Sequence, residues 1–162
     1  MIPQTQAQEM LKQALNFKEN YQLVEEIEPI ACGNLSVISQ QHIMGYKVFE
    51  KSYLRGLVKP FLTRASGDSM FPTLTEGDLI LFNRDPEKLQ KPDPNKIYLV
   101  NLTPESEESN LTIKRIHFSR EEWAFTIMPD NRMFPIEQYR MSRKKSILDY
   151  ILGIAFWVGK EL

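Results

Sequence analysis

One cysteine and two histidines, Cys32, His42 and His117, are the only thiol and imidazole groups in this chain of 162 residues. A single cysteine excludes an internal disulfide framework and any zinc site built on several thiolates. Two histidines leave little for a metal centre, so neither a metal nor another cofactor is expected. An excess of charge of one sign is missing too. Lys and Arg number 20 against 21 Asp and Glu, a net of −1, so no global field favours nucleic acid or an anionic membrane as a partner. Long apolar runs are scarce. The most apolar stretch, residues 147–158 (ILDYILGIAFWV), falls short of the roughly 20 residues of a transmembrane helix, and Asp149 interrupts it. The first residues, MIPQTQAQEMLKQ, show neither the basic start nor the apolar core of a signal peptide. These absences lead to the expectation of a soluble, cytoplasmic protein. A hydrophobic fraction of 42% and a charged fraction of 25% suit one globular domain, or one domain with a short arm.

The first 31 residues differ from the rest. Met10, Leu11, Ala14, Leu15 and Phe17 recur at helical spacing and predict about three turns of amphipathic helix. Acids outnumber bases there, as in a solvated terminal helix packed weakly on the domain, or in a detachable arm. After Pro29 the texture becomes β-like. Strands are expected at 35–39, 47–49, 61–66, 79–83, 97–102, 111–118, 123–127 and 152–158, rich in Val, Ile, Phe and Tyr. Turn signals separate them: Gly45, Glu76-Gly77-Asp78, Pro92-Asp93-Pro94-Asn95, and the acidic TPESEESN stretch, which reads as an exposed hairpin loop. The pattern predicts a mainly β fold, a curled and mostly antiparallel sheet or partly open barrel with a short N-terminal helix. The basic cluster Arg140, Arg143, Lys144 and Lys145 reads as a solvated face.

The chemically informative stretch runs from Ala65 through Ser66-Gly67-Asp68-Ser69-Met70-Phe71-Pro72 to Glu76-Gly77-Asp78-Leu79. A strand leading into Gly67, with Ser69 in a tight polar turn, can project a hydroxyl while aiming successive N–H groups at one point. Those are the parts of a nucleophile and an oxyanion hole; the same residues also make an ordinary turn. A serine nucleophile needs a base. His42 and His117 come with no suggestive motif and read as structural or surface residues. Lys114, in LTIKRIHF, shares a strand face with Ile116 and Phe118. It either snorkels to water or sits in a desolvated site. A free lysine is almost wholly protonated at pH 7, so a lysine base demands a dry, apolar pocket. A pocket covered only when a substrate segment docks meets that demand and makes activity conditional on docking.

Taken together, these pieces resemble the serine–lysine self-cleaving domain of LexA, UmuD and related phage repressors over roughly residues 27–162. The strongest match is A-S-G-D-S-M-x-P with its following G-D-L, Ala65 to Leu79. Ile113-Lys114-Arg115 resembles the family's lysine strand. Ile30-Ala31-Cys32-Gly33, followed by Ser39-Gln40-Gln41-His42-Ile43, resembles its scissile segment. Met128-Pro129-Asp130-Asn131 with Phe134-Pro135, and the closing LGIAFWV, complete the order. The resemblance implies that Ser69 attacks the carbonyl of Cys32, that Lys114 is the general base, that the N–H groups of Asp68 and Ser69 form the oxyanion hole, and that the Cys32–Gly33 bond is cut. Small residues at Ala31 and Gly33 let the chain lie close to a catalytic turn.

The cut divides the chain into an N-terminal arm, 1–32, and a peptidase domain, 33–162. Its own N-terminal segment is thus the substrate. The resemblance further implies a homodimer, stimulation by the RecA–single-stranded DNA filament, and, for a UmuD-like member, service to an error-prone DNA polymerase in the SOS response to DNA damage. A helix-turn-helix domain does not fit in 31 residues, so a UmuD-like protein is expected rather than a complete repressor. The Ser69-to-Lys114 spacing of 45 residues is longer than the family commonly shows, and the surplus falls in the loops 92–95 and 104–110. Two other functions remain open at this level: a signal-peptidase-like soluble peptidase acting in trans, and a non-cleaving interaction module of the same fold.

Overall fold

A computed structural model describes residues 4–29 and 40–160. The first element, α1 (Gln4–Asn20), stands clear of the body. Its apolar stripe is bare, with Met10, Leu11, Leu15 and Phe17 between 43% and 63% exposed, and Phe17 stacks on Tyr21 at the junction with the sheet. At 17 residues the helix is longer than the three turns expected.

Nine strands form one mixed, mostly antiparallel sheet that does not close: β1 (Tyr21–Ile27), β2 (Ile43–Glu50), β3 (Phe61–Arg64), β4 (Leu79–Asn83), β5 (Tyr98–Asn101), β6 (Leu111–Ser119), β7 (Ala124–Met128), β8 (Glu137–Arg140) and β9 (Ile151–Gly159). Their order across the sheet is β2-β1-β3-β4-β9-β5-β6-β7-β8. The one parallel contact joins β1 to β3, Glu26 opposite Leu62. Two short helices, α2 (Pro86–Gln90) and α3 (Ile147–Tyr150), fill corners. The expected mainly β architecture is therefore present, and TPESEESN does lie in the loop of the β5–β6 hairpin.

Two strands depart from the sequence reading. β1 and β8 are additional strands. β1 lies within the first 32 residues yet is seated inside the sheet, with Val24 and Ile27 in its core. The closing strand lies inside the sheet: β9 runs between β4 and β5 and touches all three apolar clusters. Ile154 and Val158 pack inward, while Phe156 is 46% exposed. The cause is a bulge. Leu81 pairs with Trp157 and Phe82 with Ala155, which leaves Phe156 as the extra residue turned outward. The same device in β2, between the partners of Glu26 and Ile27, turns Met44 out. The expected strand 35–39 and the Cys32–Gly33 bond lie outside the described residues.

The strand β6 decides where the site can be. Its first half, Leu111–Lys114, pairs with β5; its second half, Arg115–Ser119, pairs with β7. Lys114 stands at the handover. Ile116, two residues on, is fully buried among Tyr98, Phe125 and Tyr150. A second cluster, built on Phe61, Ala65, Met70, Leu74, Ile80, Phe82 and Leu99, supports the serine turn from below.

The junction of β9 with β4 is tight enough to test. A Cβ on Gly153 would lie 2.9 Å from Phe82 Cβ, whereas one on Gly45 would meet nothing within 4 Å. Gly153→Ala is expected to lower stability by about 1–3 kcal/mol, read as a lower urea midpoint at unchanged m. Gly45→Ala serves as the control; equal midpoints for the two variants would contradict this packing.

Candidate active site

The turn that carries Ser69 is closed at its base and clamped from the side. Ala65 N–H donates to the Asp78 carbonyl at 2.8 Å, and Gly77 N–H to the Ala65 carbonyl at 2.9 Å. Gly67 and Gly77 have φ of 78° and 88°, a region that suits glycine. The Asp78 carboxylate, 4% exposed, accepts from Thr75 N–H and Oγ1 and from Lys160 Nζ. Burial alone would raise its pKa, but those donors outweigh burial and hold it below the usual carboxylate range.

The side clamp comes from the β7–β8 loop. Asn131 Nδ2 donates to the Asp68 carbonyl at 2.9 Å, and Asn131 N–H to the Ser69 carbonyl at 3.0 Å. A trans peptide sets N–H opposite C=O, so anchoring the Asp68 carbonyl on Asn131 turns the Ser69 N–H away from that loop. Asp130, next to Asn131, is held in turn. Arg115 grips its carboxylate with Nε at 2.8 Å and Nη2 at 3.1 Å, and Thr73 Oγ1 donates to it as well. Burial again acts to raise the Asp130 pKa, and the Arg115 and Thr73 bonds bring it below the usual range.

Ser69 and Lys114 line one cavity of about 180 Å³. Ala65, Met70, Leu74, Leu99, Leu111 and Ile113 supply its apolar wall, and Pro29 stands at its edge. Both residues also border a second, more open depression of about 400 Å³ that includes Leu102, Ile127, Phe134, Glu137 and Tyr139. The serine–lysine pair thus forms the ridge between two hollows. Lys114 Nζ donates to Thr112 Oγ1 at 2.6 Å, a neighbour on the same strand face. Burial lowers the Lys114 pKa from its ordinary value, while the charge of Glu137 acts in the opposite direction. A partly desolvated amine that shares a cavity with a serine hydroxyl supplies the two groups that proton abstraction needs.

The histidines are elsewhere. His42 Nδ1 lies 2.9 Å from Glu28, and Glu28 N–H bonds the His42 carbonyl, closing the base of the loop between β1 and β2. His117 is exposed on β6, opposite Thr126 and on the face away from Lys114. Among the described residues no three His, Cys, Asp or Glu side chains are placed to hold a metal ion, and no helix is long and apolar enough to cross a membrane. Sequence reasoning left Thr112, Arg115, Asp130 and Glu137 without roles. Thr112 was findable, because two residues before Lys114 on a strand means the same face. Glu137 was not, because β8 itself was unexpected.

The buried amine makes a stability prediction. A lysine whose folded pKa is lowered penalises the folded state while it is protonated, and the penalty vanishes as pH rises from the lowered folded value through the unfolded one. In a Ser69→Ala background, Lys114→Met is expected to raise the urea midpoint at pH 7. The gap should shrink as the pH approaches 11; a gap constant from pH 7 to 11 would contradict a desolvated amine.

Comparison with known proteins bears on the same residues. The family model described as Peptidase S24-like matches residues 25–152, well over half of the chain and inclusive of both Ser69 and Lys114. No curated protein matches the chain. The chain belongs to the S24-like peptidases, the LexA/UmuD-like family.

Proposed function

We propose that the chain is a self-cleaving regulatory peptidase that hydrolyses its own Cys32–Gly33 bond. Ser69 Oγ attacks the Cys32 carbonyl carbon as Lys114 takes the hydroxyl proton. The N–H groups of Asp68 and Ser69 receive the developing oxyanion. Lys114 then gives its proton to the Gly33 nitrogen as the C–N bond breaks, and water hydrolyses the Cys32 ester. The products are residues 1–32 and 33–162.

One observation carries this reading: Pro29 lines the same cavity as Ser69 and Lys114. Three residues of chain reach about 11 Å at most, so the bond after Cys32 is tethered within range of the pair. Tethering replaces an encounter between molecules with a local rearrangement. Because Pro29 precedes the bond, the smaller cavity suits the segment before the cut and the open depression the segment after it. Docking would also expel water from around Lys114, so a partner that favours the docked form would switch cleavage on. By family resemblance that partner is the RecA–single-stranded DNA filament, the working form is a homodimer in the cytoplasm, and the trimmed product serves an error-prone polymerase as UmuD-like proteins do.

Intact mass before and after incubation near pH 10, where lysine is partly neutral without help, tests the chemistry. The wild type is expected to yield the two fragments that meet at Cys32 and Gly33. Ser69→Ala and Lys114→Ala are each expected to lower the rate by at least about a thousand-fold. Wild-type cleavage in Lys114→Ala would remove the pair from the mechanism. A wild-type chain that stays whole yet cuts an added peptide would favour a peptidase acting in trans; one that does neither would favour a non-cleaving interaction module.

A further inference from the structure

The register of the last three paired strands places an acid opposite the base. Ile116 on β6 pairs with Ile127 on β7, which pairs with Glu137 on β8. Paired residues project to the same face, and so do residues two apart on a strand. Lys114 and Glu137 therefore share a face, two strands apart and one step offset. Two strand spacings with a two-residue offset come to about 12 Å between α-carbons, a gap that an extended lysine and a glutamate side chain narrow. Both side chains border the open depression next to Ser69. Tyr139, on the same face, donates its hydroxyl to Glu137 Oε2 at 2.6 Å.

We propose that Glu137 is a positioning residue for the proton of Lys114: its carboxylate, steadied by Tyr139, faces the amine across the open end of the sheet and favours the ammonium, setting the pH below which the base is idle. This rests on the reading of Ser69 and Lys114 as the reacting pair.

The other charged and titratable groups around the amine are bonded elsewhere or face away, apart from Asp68, which borders the same depression. Asp130 is bonded to Arg115 and Thr73. Arg115 and His117 project from the opposite face of β6. Tyr98, the β5 partner of Lys114, is buried and its hydroxyl accepts from Asp93 N–H. Asp68, on the serine turn, is exposed to solvent. Arg64, at the far side of the smaller cavity, is paired with Glu26. Glu137 is the acid whose charge opposes the effect of burial on Lys114. With an acid so placed, the amine stays protonated to a higher pH than burial alone would leave it. The two opposing influences come from different elements, so one can be removed without disturbing the other.

Glu137→Gln keeps the shape and an acceptor for Tyr139 while deleting the charge. Self-cleavage followed by intact mass from pH 6 to 11 is expected to run about two- to five-fold faster in this variant on the rising limb, the effect of one charge across a partly solvated gap, and to meet the wild type at the alkaline plateau. Superimposed profiles, or a variant slower throughout, would overturn the proposal. A second measurement does not depend on cleavage. In Ser69→Ala and Ser69→Ala/Glu137→Gln chains, the acetylation rate of Lys114 by acetic anhydride, read by peptide mass, is expected to be higher without the carboxylate at neutral pH. Equal rates would overturn it as well. A wild type that never cuts, with unequal acetylation, would remove the peptidase reading and leave the influence of Glu137 on the amine standing.

Discussion

Keeping an amine unprotonated near a hydroxyl is expensive in water and cheap only where water is thin. The sheet supplies such a place by letting β6 change partners. Up to Lys114 the strand belongs with β5 and its residues border both hollows; from Arg115 onward it belongs with β7. The side chain at the changeover shares a cavity with Leu111 and Ile113, and the buried Ile116 follows it on its own face. Desolvation of Lys114 follows from that position, and the rest of the site is arranged around it.

The adjacent residue ties the strand of Lys114 to the turn of Ser69. Arg115 points away from the cleft, grips Asp130, and so fixes the loop whose Asn131 holds the carbonyls on both sides of the Ser69 α-carbon. One step along a strand therefore delivers the proposed base to one face and, to the other, the support of the turn that carries Ser69. A charge-assisted, two-pronged bond is well suited to this, since it fixes direction as well as distance.

Much of this was legible in the sequence. The Ser69 turn announces itself through Gly67, Pro72 and Gly77, and the strands β3, β4, β6, β7 and β9 through runs of β-branched and aromatic residues. Lys114 could be placed on a face with Ile116 by alternation alone. Three things were hidden. β1 carries Glu25 and Glu26 between its buried Val24 and Ile27, which stand three apart and break the period on which a strand is recognised. β8, four residues of Glu137-Gln138-Tyr139-Arg140, has no apolar alternation because only its pairing with β7 defines it. The interior place of β9 depends on contacts with strands far away in sequence, and its bulged Phe156 imitates the pattern of an outer edge. Local periodicity reports which face is apolar, not which neighbour covers it.

The seat of β1 has a further consequence. This strand precedes the Cys32–Gly33 bond, yet it is laced to β2 along its whole length, and its Val24 and Ile27 fill the sheet's interior. A cut there, as proposed, would sever the covalent thread without undoing any of those pairings. Scission and departure would then be separate events with separate barriers, and a nicked two-piece assembly, still bearing α1, would stand between the intact chain and the trimmed one.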